Sequence, residues 1–301
     1  MTAKVILGIN NGFAAKNWPE PGEWARIIAE ELGLKEVQFS FDLLEPTLPE
    51  PARSEICEEV IRAVEAYDLE MRSSFTGLII YAQNHLAHPN PAMRSQALQW
   101  FQAAIEVSDK LGVEACGGHI GAMSALDYAD PKRRQFIREA LVESVLNLTT
   151  LAAGLGQKYF LWEPMPTPRE YPHTPKEAIE LMDELNTRSA IPVYICFDVG
   201  HCNSFDFSKP GDPHEWLEKL LPWVRIVHLQ QTDGKADHHW PFTPEFNKVG
   251  VINPKRVVEI VKNSPFVDVP LLFELGHAFD ASDEQIIDDH KLSVELWTKY
   301  L

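Results

Sequence analysis

PVYICFDVGH, residues 192–201, reads as a strand that ends in chemistry. Its first residues form a nearly continuous apolar run without the alternation of a half-exposed strand, the pattern of a strand buried on both faces in a parallel sheet. Asp198 then closes the run, although an unpaired carboxylate there carries a heavy desolvation cost. Seven further runs of the same kind lie outward from this one: VILGI at 5–9, EVQFSF at 36–41, LEMRSSF at 69–75, VEACGGH at 113–119, KYFLWE at 158–163, VRIVHLQ at 224–230 and PLLFELG at 270–276. Between them apolar residues recur at i, i+3, i+4 and i+7, as in EWARIIAEELG, PARSEICEEVIRAVEAYD, MRSQALQWFQAAIEVSDKLG and REALVESVLNLTTLAAGLG, which is the helical period. Gly33, Gly112 and Gly156 follow three of these stretches, where a left-handed C-cap is easiest.

Eight strand–helix units in 301 residues predict an α/β fold, a single (β/α)8 TIM barrel spanning residues 1–301. The rival is a doubly wound sheet, which announces itself with a glycine-rich phosphate turn after its first strand. Here that segment is GINNGFAAKNWPEPG, neither GxGxxG nor GxxxxGK[ST]. The proline-rich stretches 44–51 and 164–175 follow strands and read as βα loops. No linker or charge block marks a second domain.

The formal charge is −17, from 27 Lys+Arg against 44 Asp+Glu. Such a surface repels phosphate backbones, which argues against nucleic acid as a partner. No stretch of 18 apolar residues occurs, and the apolar run near the N-terminus is too short for a signal segment, so the expectation is a soluble, cytoplasmic protein with no membrane partner. Cys57, Cys116, Cys196 and Cys202 are scattered without a CxxC pair and read as reduced thiols. Cys202 alone stands beside a candidate site residue.

In a barrel the active site lies at the C-terminal ends of the strands. The fifth to eighth runs end in Glu163, Asp198, His228 and Glu274. A lone carboxylate there is ordinarily a helix cap or ion-pair partner, and a lone histidine a hydrogen-bonded structural residue. Four in succession form an oxygen-rich set with one imidazole, suited to one divalent ion: Mn²⁺ or Mg²⁺ foremost, with Co²⁺ or Zn²⁺ as alternatives.

The motifs WEPMP, FDVGH, HLQQTDG and FELGH resemble those of the sugar isomerase and epimerase superfamily of xylose isomerase-like barrels, over nearly the whole chain. The resemblance implies Glu163, Asp198, His228 and Glu274 as metal ligands and His201 as a group that touches substrate oxygens. GINNGFAAKNWPEPGEWARII and LGLKEVQFSFDLLEP are most similar to tetrulose phosphate epimerases of erythritol-type catabolism. Two features depart from the superfamily pattern. Arg169 stands where many relatives carry a second carboxylate, and the arginine that often follows the strand-seven histidine is missing.

The chemistry implied is epimerisation or isomerisation of a small ketose or its phosphate, with Glu163 and Glu274 removing and returning a proton through a cis-enediolate. A metal-dependent decarboxylase or lyase of a sugar acid is the alternative, with Arg169 to meet the carboxylate. A metal-dependent endonuclease of the same barrel type calls for a basic face and histidines on earlier strands, which VQFSFD and MRSSFT lack. A non-catalytic sugar-binding barrel would follow if the four strand-end residues failed to converge. Among softer positions, His119 and Gln38 are candidates for substrate binding, with Asn10 and Asn11 as hydroxyl or turn residues. Lys16, Arg169 and Lys235 are candidates for a phosphate clamp, and Phe13, Trp18 and Trp162 for pocket walls. In DGKADHHW at 233–240 adjacent side chains diverge, so one histidine at most reaches a site. Barrels of this group often assemble as dimers or tetramers, which implies a homo-oligomer.

Overall fold

The computed structural model describes residues 2–202 and 211–301. All eight runs are strands: β1 (Lys4–Asn10), β2 (Glu36–Ser40), β3 (Glu70–Phe75), β4 (Ala115–Gly118), β5 (Tyr159–Trp162), β6 (Val193–Asp198), β7 (Val224–Leu229) and β8 (Asp268–Phe273). They close into a barrel in sequence order, β1 beside β8. Helices separate them, so the fold is the (β/α)8 barrel expected from the alternation. Gly33, Gly112 and Gly156 take φ of +64°, +72° and +82° after their helices. Among the described residues no helix is long and apolar enough to cross a membrane, and all four cysteines are buried thiols.

The chain packs as two compact units. One comprises Met1–Gln38, Arg62–Met71 and Cys196–Leu301. In it β1 pairs with β2 through Ile9↔Val37 and Asn10↔Gln38, and with β8 through Leu7↔Leu271 and Ile9↔Phe273. β8 pairs in turn with β7 through His228↔Leu272 and Leu229↔Phe273, and the Glu274 N–H continues the ladder to the Leu229 carbonyl at 3.1 Å. This register brings Asn10, Gln38, His228 and Glu274 to one end of their strands. Behind them Phe242, Phe273 and Trp297 meet edge to face, with centroids 5.1, 6.3 and 6.4 Å apart. All three side chains are buried, and truncating one to alanine should cost about 3–5 kcal/mol.

The other unit comprises Phe39–Ile61 and Arg72–Ile195. β4 and β5 are in register from Ala115↔Tyr159 to Gly118↔Trp162, and β5 joins β6 through Phe160↔Val193. Phe41, Trp100 and Phe101 pack edge-on at 5.6 and 5.2 Å. Gly118 has φ +129°, and a Cβ there would lie 2.3 Å from Thr76 Oγ1. Only glycine lets β4 end this way. Its helices start as their caps dictate: Asn90 accepts from the Ala92 N–H before Pro91–Lys110, and Asp130 from the Lys132 and Arg133 N–H groups before Pro131–Gly154.

Candidate active site at the ends of β6, β7 and β8

Asp198 ends β6, His228 sits one residue before the end of β7, and Glu274 follows β8. Each offers one ligand atom within 4.8 Å of the others'. His228 Nδ1 stands 3.1 Å from Glu274 Oε2, while its Nε2 donates to Gln38 Oε1 at 2.7 Å. With Nε2 engaged by Gln38, Nδ1 is the ring nitrogen that faces Glu274. Asn10 donates to Gln38 Oε1 at 3.0 Å and to Glu274 Oε1 at 3.3 Å, and accepts from the Gly12 N–H. Gln38, read from sequence as a substrate-binding candidate, and Asn10, read as a hydroxyl or turn residue, bond to His228 and Glu274, and Asn10 also caps the turn that follows it.

Asp198 is 1% exposed. Its Oδ1 accepts from the Gly200 N–H at 2.6 Å and from Gln230 Nε2 at 3.0 Å. Its Oδ2 is buried and meets no hydrogen-bond donor among the described residues. Burial holds the Asp198 pKa above the usual carboxylate value, against the pull of His201 and His239. A buried carboxylate oxygen with no donor, amid Glu274 and a correctly turned imidazole, fits a divalent cation. The donor set is the hard oxygen-plus-imidazole kind that Mn²⁺, Mg²⁺, Co²⁺ and Zn²⁺ accept.

A second layer surrounds this group. Asp237 faces His201 Nε2 at 3.3 Å and His239 Nε2 at 3.2 Å. Asp198, His201 and His239 also bring ligand atoms within 4.8 Å of one another. Burial opposes charge on His239, but Asp237, Asp198 and Glu274 outweigh it and raise its pKa to about 10. Burial likewise opposes charge on Asp237 and Glu274, and the neighbouring imidazoles pull both below their usual values. Cys202 is buried, its thiol pushed well up by burial and then by Asp198 and Asp212, which disfavours the nucleophilic thiolate.

The two histidines of DGKADHHW do diverge. His238 stacks on Trp240 at 3.9 Å and meets Asp233 at 3.1 Å. His239 adopts φ +51°, rare for a non-glycine residue. Three hydrogen bonds hold it there: its N–H to Gln230 Oε1 at 2.6 Å, its Nδ1–H to the Glu274 carbonyl at 2.8 Å, and its carbonyl from the Gly276 N–H at 2.7 Å. Sequence reasoning singled out neither Gln230 nor Asp237. The signal available was the polar pair Gln230–Gln231 directly after an apolar strand, of which Gln230 is fully buried.

Each remaining candidate has its own setting. Lys235 is an exposed side chain 3.6 Å from Asp233. Lys16 donates to the Phe279 carbonyl, Phe13 packs on His290 at 5.0 Å and Trp18 lies 6.1 Å from Phe13. Asn11 is buried. In the other unit Glu163 directly follows β5, its N–H donating to the Gly118 carbonyl at 3.0 Å, and its side chain is 3% exposed. Trp162 is buried beside it. His119 is buried, its ring 5.2 Å from Tyr81 and 6.3 Å from His85. Arg169 donates to the Met123 carbonyl at 3.2 Å.

A family model described as xylose isomerase-like TIM barrel matches residues 27–294. The D-erythrulose 1-phosphate 3-epimerase of Brucella abortus is 25% identical, the match covering 99% of this chain and 96% of that protein. A crystal structure from Rhodospirillum rubrum, of a protein provisionally assigned as a xylose isomerase, superposes with a TM-score of 0.91 at 31% identity and 99% coverage of both chains. The D-psicose 3-epimerase of Clostridium cellulolyticum, solved with D-tagatose, gives 0.74 at 14% identity over 98% of this chain and 99% of its own. That last likeness concerns the fold alone.

Proposed function

Because this chain belongs to the xylose isomerase-like TIM-barrel family, we propose that it is a divalent-metal-dependent epimerase of a small ketose phosphate, a tetrulose phosphate foremost. It is an enzyme of the isomerase class, as its full-length epimerase relative supports. The observation that carries the finer reading is the convergence of Asp198, His228 and Glu274 within 4.8 Å, with one buried Asp198 oxygen left without a donor among the described residues.

Asp198, His228 and Glu274 would hold the ion. Glu163, which directly follows β5 as Glu274 directly follows β8, is assigned as the fourth ligand on its place in the sequence. When bound, a divalent cation polarises the ketose carbonyl and acidifies the neighbouring C–H. Glu274 and Glu163 are the two groups that take and return the proton, since a carboxylate has a second oxygen to spare for it. Asn10, bonded to Glu274 Oε1, orients one of them. His201 and His239 are donors for substrate oxygens, and Lys235 and Arg169 are the cations assigned to the phosphate. We place the enzyme in the cytoplasm, where its four buried thiols stay reduced.

The test is deuterium wash-in. Mn²⁺-reconstituted protein in D₂O receives ketotetroses, ketopentoses and ketohexoses, free and phosphorylated, with Glu274→Gln as control. Deuterium is expected at the carbon beside the carbonyl of a tetrulose phosphate and not in the mutant. Absence of exchange from every sugar in the panel would sink the epimerase reading and turn attention to sugar acids and CO₂ release.

A further inference from the structure

Gln230 is fully buried at the end of β7, and its carboxamide uses its two donors on two carboxylates. One N–H goes to Asp198 Oδ1 at 3.0 Å and the other to Asp237 Oδ1 at 2.6 Å. Its Oε1 accepts the His239 backbone N–H at 2.6 Å. That last bond settles which end of the amide is nitrogen, because a backbone N–H needs an oxygen opposite it. With the Gly200 N–H also on Asp198 Oδ1, one oxygen of this carboxylate has two donors and the other none among the described residues. We infer that Gln230 is a positioning residue that decides which oxygen of Asp198 is offered to the ion. This rests on the reading of Asp198 as a metal ligand.

The residue type is the informative part. Arginine or lysine would also anchor two carboxylates, but its charge would neutralise Asp198 and repel a cation. A neutral amide supplies the donors and leaves the negative charge for the metal. Gly200 makes the arrangement possible, because a Cβ there would lie 2.2 Å from the Gln230 carboxamide carbon. The next residue repeats the device for a different end. Gln231 donates to Asn247 Oδ1 and the Ile252 carbonyl, and a Cβ on Gly250 would lie 2.2 Å from its carboxamide carbon. Gln231 therefore ties down a loop, and Gly250→Ala is a matched control.

The experiment is calorimetric titration of MnCl₂ into the chelator-treated full chain, with melting temperatures recorded for every variant. Gln230→Met removes the amide at similar volume, and Gly200→Ala displaces it without touching Gln230. Each is expected to weaken Mn²⁺ binding by about 10- to 100-fold. The double variant should be no worse than the weaker single, because both changes remove the same bonds. Gly250→Ala should bind Mn²⁺ as the wild type does, whatever its melting temperature. Wild-type affinity in Gln230→Met, or losses that multiply in the double variant, would overturn the inference. If Gln230→Met does not fold, Gly200→Ala decides alone by the same criterion. A wild type that binds none of Mn²⁺, Mg²⁺, Co²⁺ and Zn²⁺ would overturn the metal reading, and this inference with it.

Discussion

His239 and His290 lie in the same compact unit, the first half-buried and the second fully buried, and are driven in opposite directions. At the ends of β7 and β8, His239 is raised to about 10, because Asp237, Asp198 and Glu274 outweigh the cost of burial. Within the helix Asp283–Thr298, His290 is lowered to about 4, because burial acts there with little opposition beyond a bond to the Ile286 carbonyl. Its ring packs on Phe13 at 5.0 Å and His277 at 5.4 Å. Asp289 pairs with His277 at 3.3 Å. Desolvation acts on both imidazoles, so carboxylates within reach decide the outcome. A cluster that concentrates carboxylates has been built to hold positive charge, and one lined by aromatic rings has been built for packing.

Removing a carboxylate from the first region is the strongest way to break that contrast. Glu274→Gln keeps the shape and the Asn10 contact but loses the carboxylate proposed as base, so the wash-in rate should fall by about 10³-fold or more. If the rate survives, Glu274 is not a proton-transfer group. Asp237→Asn should act less severely, since Asp237 faces His201 and His239 and is not one of the two carboxylates proposed to move the proton. A loss of about 10- to 100-fold in kcat/KM is expected. A Glu274-sized loss would instead make Asp237 part of the proton-transfer chemistry.

The first region was only half legible in the sequence. Asp198, His228 and Glu274 stand out because each breaks an apolar run, and the eight runs were legible because parallel strands are buried on both faces. Asp237 and His239 lie beyond the strand, in a segment folded back by the antiparallel Gln231↔Trp240 bridge and by a left-handed turn at His239. Glycine is the residue that usually announces such a turn, and here a histidine takes it. His85, with φ +43°, escaped notice for the same reason. The eighth run, 270–276, also overshoots: β8 ends at Phe273, and past it only the Glu274 N–H still follows the ladder while the Glu274 carbonyl turns to His239.

The second region is tested by pH. The folded pKa of His290, about 4, lies below the unfolded value of about 6.5. Between those values the unfolded chain binds more protons, so stability rises with pH from 4 to 6.5 and is flat above for this group. At pH 5 the wild type should be less stable than at pH 7 by about 2 kcal/mol on this account, and His277, also lowered by burial, adds to the same slope. His290→Leu keeps the packing and removes the titration, so its melting temperature should depend less on pH between 5 and 7. An unchanged slope would mean that His290 titrates alike in the folded and the unfolded chain and that the contrast with His239 is false.

The smallest expected effect comes from Lys235, on the same segment as His239 but 77% exposed and 3.6 Å from Asp233. An exposed pair of this kind contributes at most ~0.5 kcal/mol, so Lys235→Ala should leave the melting temperature nearly unchanged. If this lysine meets the substrate phosphate, the variant should raise KM for the tetrulose phosphate about threefold, with kcat intact and the free tetrulose unaffected, because a solvated cation acts on binding alike in the ground and transition states. An equal rise in KM for both sugars would remove Lys235 from phosphate recognition. The preference for a phosphorylated substrate would then rest on Arg169.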